Sequence, residues 1–191
     1  RNNEVIGYNN YFFERDGETT TVKNQYKFEV KLLSATIFKV EGYGEEIYLN
    51  DRLISFQSKT LQNKKEKFVS LKLDNSNKKF NIKGSSYSGE ASLKNIIGNW
   101  WSHKILQAES QISPISGSIK EQLVTFIGKE NVAINGKEFE TDHFKLTSKD
   151  MSLPEDKRLN FDIWLNKKTS VIVKVTYERM GNWEYRLKNI E

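Results

Sequence analysis

The clearest pattern in this chain is an alternation of apolar and polar residues near its C-terminal end. Every second residue is apolar over residues 159–165, and the same alternation returns over residues 171–177. A period of two places each apolar set on one face of a β-strand. The polar residues 166–170 lie between the two runs, so the pattern predicts a β-hairpin with a loop of four or five residues.

The same period extends over most of the chain. It is cleanest over residues 21–33, where apolar residues face one way and charged residues the other, as in an antiparallel sheet with one wet face. Further strands are predicted at residues 5–15, 36–40, 45–49, 53–60, 68–73, 79–83, 120–127, 131–134, 137–147 and 183–187. Asp16-Gly17 and Asn135-Gly136 predict tight turns. Gly42 and Gly44 predict a bulge or a sharp bend.

One stretch, residues 84–117, breaks the pattern. It is rich in Ser, Gly and Asn, and it contains Trp100-Trp101. A structureless loop of this length is unusual in a compact domain, so we expect it to pack over the sheet as an irregular cover. Short helices are expected at residues 91–97 and 102–109, whereas residues 150–156 are expected to form a loop. The sum is an all-β, antiparallel roll or barrel of about ten to twelve strands with one or two short helices.

Composition narrows the classes of protein to consider. A chain of 191 residues is long enough to bury its own core, and we expect one domain over residues 1–191 and a monomer. The absence of Cys excludes disulfides and thiolate metal sites. The net charge of +5 comes from interspersed charges, which argues against a nucleic-acid partner. No apolar run suggests a transmembrane segment, and the start at Arg1 suggests that a signal peptide has been removed.

Few residues suggest catalysis. The two histidines, His103 and His143, are far apart in the chain, so a metal site is not expected. No nucleophile elbow or cofactor fingerprint occurs, and no cofactor is expected. Glu45, Glu46 and Asp51 are carboxylates of the kind that cleave glycosides in pairs, but we expect them at solvated strand ends. The sequence therefore favours a binding protein over an enzyme.

The tryptophans give the best candidate site. Trp164 falls on the opposite face of its strand from Phe161 and Ile163, which predicts that the sheet is covered on a second side. The irregular cover is the candidate for that role, with an apolar pocket beneath it. The candidate ligand-binding residues are Trp100, Trp101, His103, Trp164 and Trp183. Packing of the same rings in the core is the competing explanation.

Several short phrases, in chain order, carry a family resemblance. They are Val5-Ile6-Gly7-Tyr8, Phe28-Glu29-Val30-Lys31-Leu32-Leu33, Glu46-Ile47-Tyr48-Leu49-Asn50-Asp51-Arg52-Leu53, Ser58-Lys59-Thr60, Asn99-Trp100-Trp101, Phe161-Asp162-Ile163-Trp164-Leu165 and Trp183-Glu184-Tyr185-Arg186-Leu187. The chain resembles an uncharacterised family of exported bacterial β-rich proteins, akin to spiral β-roll domains labelled as glycolipid-binding. It departs from the family at Asp51-Arg52, where Asp-Gly is usual, and at Leu165-Asn166, where an aromatic residue and Asp are usual.

The resemblance implies a single β domain in the periplasm or outside the cell. Together with the aromatic residues, it predicts a non-catalytic envelope protein that binds a lipid, glycolipid or other amphiphile. One alternative is a protein–protein interaction module with an envelope protein as its partner. A hydrolase of envelope polymers is the second alternative.

Overall fold

The chain folds almost entirely into β-strands. The computed structural model describes residues 1–178 and 181–190, and over these residues it contains fourteen strands and two 3-10 turns. One sheet contains β1 (Gly7–Asp16), β2 (Thr19–Leu32), β3 (Ala35–Leu49), β4 (Arg52–Gln62), β5 (Lys65–Asp74), β6 (Lys79–Gly84) and β7 (Ser88–Ser92). The other contains β8 (Ile96–Ile97), β9 (Ser110–Ile112), β10 (Ile119–Ile134), β11 (Lys137–Ser148), β12 (Asn160–Asn166), β13 (Ile172–Glu178) and β14 (Asn182–Arg186).

The predicted all-β class is confirmed, but the strand count of ten to twelve was too low. Strands β7, β8 and β9 have five, two and three residues, and all three lie inside residues 84–117. Such short strands hold too few residues for a period of two to be visible. Within each sheet, strands that are consecutive in the chain are also neighbours. The predicted C-terminal hairpin is confirmed, with Ile163 opposite Val175.

Tight turns set the register of the hairpins. Among the described residues, four hairpins turn through two residues that both have left-handed φ. These are Leu33-Ser34, Asn50-Asp51, Asn63-Lys64 and Asn135-Gly136. A type I′ turn has this geometry, which matches the twist of the flanking strands and favours Asn and Gly. The turn predicted at Asn135-Gly136 is confirmed.

The bulge or bend predicted at Gly42 and Gly44 was wrong in its placement. Strand β3 keeps its register with both neighbours through these glycines. The register shifts occur elsewhere, between Val30 and Lys31 of β2 in its pairing with β3, and between Ile47 and Tyr48 of β3 in its pairing with β4. Gly42 instead makes room for a side chain. A Cβ atom there would lie 2.6 Å from the hydroxyl oxygen of Tyr26, because that ring crosses β3 above the glycine.

The helices expected in the irregular segment are mostly absent. Residues 91–97 contribute to β7 and β8, so a helix there was a wrong prediction. Within the second expected helix, only His103–Leu106 is helical, and it forms a single 3-10 turn. The other 3-10 turn, Glu155–Lys157, lies at the end of the predicted loop. The Gly and Ser content of the segment marked irregular backbone correctly but did not distinguish short strands from helical turns.

The chain divides into two compact units. The N-terminal unit comprises Val5–Asn95 and Ile112–Ile119, and the C-terminal unit comprises Arg1–Glu4, Ile96–Gln111 and the chain from Lys120 onward. The segment 84–117 is thus shared between them. The single domain over residues 1–191 stays a prediction.

Candidate functional site

Strand β12 of the C-terminal unit is apolar on both faces, as predicted. On one face, Ile163 is buried in a cluster with Leu146, Val175 and Ile105. On the other face, Trp164 forms a second cluster, and its partners are Ile134, Val173, Val132, Phe139 and Leu187. Most of the residues that cover the Trp164 face come from the hairpin of β10 and β11.

The irregular segment covers the face opposite to the expected one. Ile96, Trp100 and Leu106 pack against the Ile163 cluster, not against Trp164. Beneath them the interior is filled, since Ile105 and Ile163 are fully buried. A ligand in this region would therefore lie on the surface around the cover.

Five aromatic side chains form a connected group on the Ile163 side of the C-terminal unit. This group, called the aromatic surface below, consists of Trp100, Phe161, Tyr177, Trp183 and Tyr185. All five are partly exposed. The ring centroids of Trp100 and Phe161 are 5.0 Å apart, and those of Phe161 and Tyr177 are 5.3 Å apart. Tyr177 stacks on Trp183 at 5.6 Å and on Tyr185 at 6.2 Å.

The structure thus brings two predicted site residues, Trp100 and Trp183, into one group. Sequence reasoning missed Phe161, Tyr177 and Tyr185 as site residues, because they alternate with polar residues and read as core positions. The signal that could have found them was the register. Trp183 lies opposite Tyr177, and Tyr185 lies opposite Val175 two residues earlier, so their side chains share one face.

Trp164 is far more enclosed than the aromatic surface. One face of its ring stacks on His143, with centroids 4.4 Å apart and planes 13° apart. Over the ring of Trp164 lies the ammonium of Lys174, 4.4 Å from the centroid, within the range of a cation–π contact. The indole N–H donates to Glu130 at 2.5 Å. These contacts explain why Trp164 is only 8% exposed.

His143 joins two carboxylates across the sheet. Its Nδ1 lies 3.0 Å from Glu130, and its Nε2 lies 2.9 Å from Asp162. An ionised carboxylate only accepts, so a neutral imidazole donates to one of them at a time. Partial burial by itself would raise the pKa of Asp162, but hydrogen bonds from Lys145 and His143 outweigh it and lower that pKa. Because both ring nitrogens face carboxylates of the protein, His143 is not placed to take a proton from a substrate.

Trp101 and His103 lie at the 3-10 turn that follows Trp100. The Ser102 side chain caps this turn by accepting from the backbone N–H of Lys104. Both Trp101 and His103 are partly exposed, and the cap fixes where the chain turns after Trp100. Their role as ligand-binding residues stays a prediction.

The carboxylates considered for catalysis do not converge. Glu45 and Glu46 are neighbours on β3, so their side chains point to opposite faces. Glu46 is buried at 3% exposure, contrary to the expected solvated position. It lies opposite Val22 and Phe56 and accepts from the hydroxyl of Tyr48 at 2.5 Å. Burial is the main cause that raises the pKa of the Tyr48 hydroxyl, and the neighbouring carboxylate of Glu46 raises it further.

Each unit has a shallow cavity on its surface. The C-terminal unit has one of about 260 Å³, lined by Asn131, Glu138, Phe139, Glu140, Asn166 and Lys168. The N-terminal unit has one of about 270 Å³ at the β3–β4 turn. Neither includes a predicted site residue. Within residues 1–178 and 181–190, no three His, Asp or Glu side chains are grouped closely enough to hold a metal ion.

The described part of the chain contains no helix of the length and hydropathy needed to cross a bilayer.

Comparison with known proteins identifies the family. No curated protein and no solved structure matches the chain significantly. The sequence profile of the domain of unknown function DUF6134 matches residues 1–188, which is almost the whole chain. The chain therefore belongs to the DUF6134 family.

Proposed function

We propose that this protein is a non-catalytic binding protein that holds a lipid, glycolipid or other amphiphile against its aromatic surface. The observation that carries the proposal is the contact of five partly exposed rings across four separate segments. Scattered single aromatic residues are ordinary on protein surfaces, whereas a contiguous group of partly exposed rings supports a role in contact with a ligand.

The chemistry of the aromatic surface suits a ligand that is partly apolar and partly polar. Tyrosine and tryptophan present a large apolar ring together with one O–H or N–H group. Ring faces pack against acyl chains or the C–H faces of sugars, and the polar groups serve hydroxyl or phosphate oxygens. The filled interior around Ile105 and Ile163 supports surface binding over an enclosed pocket.

The proposed setting is the bacterial envelope, in the periplasm or outside the cell. The resemblance to exported β-rich proteins and to spiral β-roll domains supports this setting. Fractionation of native cells followed by immunodetection tests it directly. Recovery of the protein in the cytoplasmic fraction alone would contradict it.

The binding proposal is tested by native mass spectrometry after gentle purification. We expect a co-purifying species of lipid or glycolipid mass. Trp183→Ala and Tyr177→Ala should each reduce its occupancy, because each removes half of the stacked pair. Phe68→Ala is the matched control, since Phe68 is a half-exposed aromatic residue of the N-terminal unit. The proposal would be contradicted if no ligand co-purified, or if Phe68→Ala reduced ligand occupancy as much as the other two variants.

A second candidate function is an interaction module. Five large apolar side chains are exposed on one face of the first sheet, namely Tyr8, Phe12, Tyr43, Leu61 and Phe68. Tyr43 and Phe68 both lie opposite Lys59 in the pairing of β3, β4 and β5, so they share this face. Cross-linking in native cells separates the two functions. A specific protein adduct lost with Tyr43→Ser and retained with Trp183→Ala would favour the interaction module.

A further inference from the structure

The shallow cavity at the β3–β4 turn combines aliphatic, amide and basic side chains. It has a volume of about 270 Å³. Leu49, Asn50 and Arg52 line it around the β3–β4 turn. Ile54 lines it from β4, Leu73 from the end of β5, and Asn75 from the turn that follows β5. Binding sites typically combine apolar walls with a few polar groups that fix the ligand's orientation. Here three aliphatic side chains supply the wall, and one guanidinium and two amides supply the polar groups.

The positive charge at this cavity is not used by the neighbouring carboxylates. Glu18 accepts from the Asn50 side chain at 3.1 Å. Asp74 caps its own turn and accepts from the backbone and side chain of Asn77, which lowers the Asp74 pKa. The salt bridges described for the N-terminal unit all use lysines as cations, at positions 23, 27, 31, 39 and 79. Among the described residues, Arg52 takes part in none of these.

We infer that this cavity binds an aliphatic carboxylate. The carboxylate lies on the guanidinium of Arg52, whose paired N–H groups match its two oxygens. The alkyl chain of the ligand lies against Leu49, Ile54 and Leu73. Sites for drug-sized ligands usually measure about 300–1,000 Å³, so this cavity suits a short chain or the end of a longer one. The site lies in the N-terminal unit, shares no residue with the aromatic surface, and does not depend on it.

The test is an NMR titration of the full chain, labelled with ¹⁵N, at neutral pH. Octanoate is the probe, because it has both a charge and a chain. We expect saturable shifts of the backbone amides of residues 49–54 and 73–75, with a Kd on the order of millimolar for so small a ligand. Octanol keeps the chain without the charge, and acetate keeps the charge without the chain. Each should bind roughly tenfold more weakly, since each loses one of the two contacts.

Variants identify the charged group. Arg52→Gln should weaken octanoate binding roughly tenfold, because it removes a charge-assisted hydrogen bond. Arg52→Lys keeps the charge but loses the paired donors, so its affinity for octanoate should lie between those of the wild type and Arg52→Gln. Arg15→Gln, a change at an exposed arginine on β1, should leave the affinity unchanged. Spectra of the free variants establish that each is folded.

Three results would overturn the inference. One is equal binding of octanol and octanoate, which would make the charge irrelevant. Another is equal loss of affinity with Arg15→Gln and Arg52→Gln, which would indicate a general charge effect. The third is a set of shifts confined to the aromatic surface, with none at residues 49–54. That last result would leave the proposed function standing while removing this site.

Discussion

Replacement of Gly42 by alanine is the sharpest test of the N-terminal unit's packing. An added Cβ would lie 2.6 Å from the Tyr26 hydroxyl oxygen and 2.7 Å from the carbonyl oxygen of Lys59. Neither distance occurs between real Cβ atoms and such neighbours, so something must shift. The ring is the movable neighbour, and its hydroxyl shares a 2.6 Å hydrogen bond with Thr60. Thr60 is buried at 3% exposure.

The expected cost follows from those contacts. Crowding a packed site costs about 1–3 kcal/mol, and leaving a buried hydroxyl without its partner costs about 1–3 kcal/mol. Loss of glycine's freedom in the unfolded chain offsets about 0.4–1 kcal/mol of this. The free energy of unfolding should therefore fall by about 1–5 kcal/mol, which is a large part of an ordinary domain's stability.

Urea denaturation followed by circular dichroism and fluorescence measures this change. Gly128→Ala is the matched control, because a Cβ there meets nothing within 4 Å and the glycine has no left-handed φ. In a Tyr26→Leu background the cost of Gly42→Ala should drop by at least about 1 kcal/mol, as expected for residues in contact. The reasoning is refuted if Gly42→Ala is as harmless as the control, or if the Tyr26 background leaves its cost unchanged.

Two further predictions concern a turn and a charge cluster. Replacing Leu33-Ser34 by Asn-Gly should raise the unfolding temperature, since left-handed φ costs roughly 1–2 kcal/mol at an ordinary residue and Asn-Gly favours this turn; an unchanged or lower temperature would contradict the turn assignment. The lowered pKa of Asp162 means that its contacts with Lys145 and His143 stabilise the fold above the ordinary carboxyl pKa of about 3.9. That contribution should be lost as pH falls through the lowered pKa, so the stability difference between wild type and Asp162→Asn should shrink in acid. Urea unfolding between neutral and acidic pH checks this, and a difference that does not change with pH would show that the cluster is not linked to folding.

Much of the fold was predictable because the strands alternate so regularly. Residues 21–33 and 159–177 were recognisable since each has enough residues to show a period of two. The turn at Leu33-Ser34 was not recognisable, because its residues lack the usual Asn or Gly and the flanking strands impose the conformation. The role of Gly42 depends on Tyr26, sixteen residues earlier in the chain, so it appears only once β2 and β3 are paired.

The candidate site was harder to predict. Trp100 and Trp183 meet in one group because of strand order, which alternation does not reveal. Trp164 was expected in the same site, but the sheet places it on the opposite face between His143 and Lys174. The contact of His143 with two carboxylates was also invisible, because Glu130 and Asp162 come from strands on either side of β11.

The meander order of both sheets has a consequence for how the chain assembles. Within each sheet, every strand pairs only with strands next to it in sequence, so the loops closed during folding are short and their entropic cost is small. Relative contact order is then low for an all-β protein, and such proteins fold faster than sandwiches with distant pairings. Hairpins can also add one after another as the polypeptide emerges, without waiting for its far end. Stopped-flow refolding on a timescale of many seconds, with no slow proline phase to account for it, would contradict this expectation.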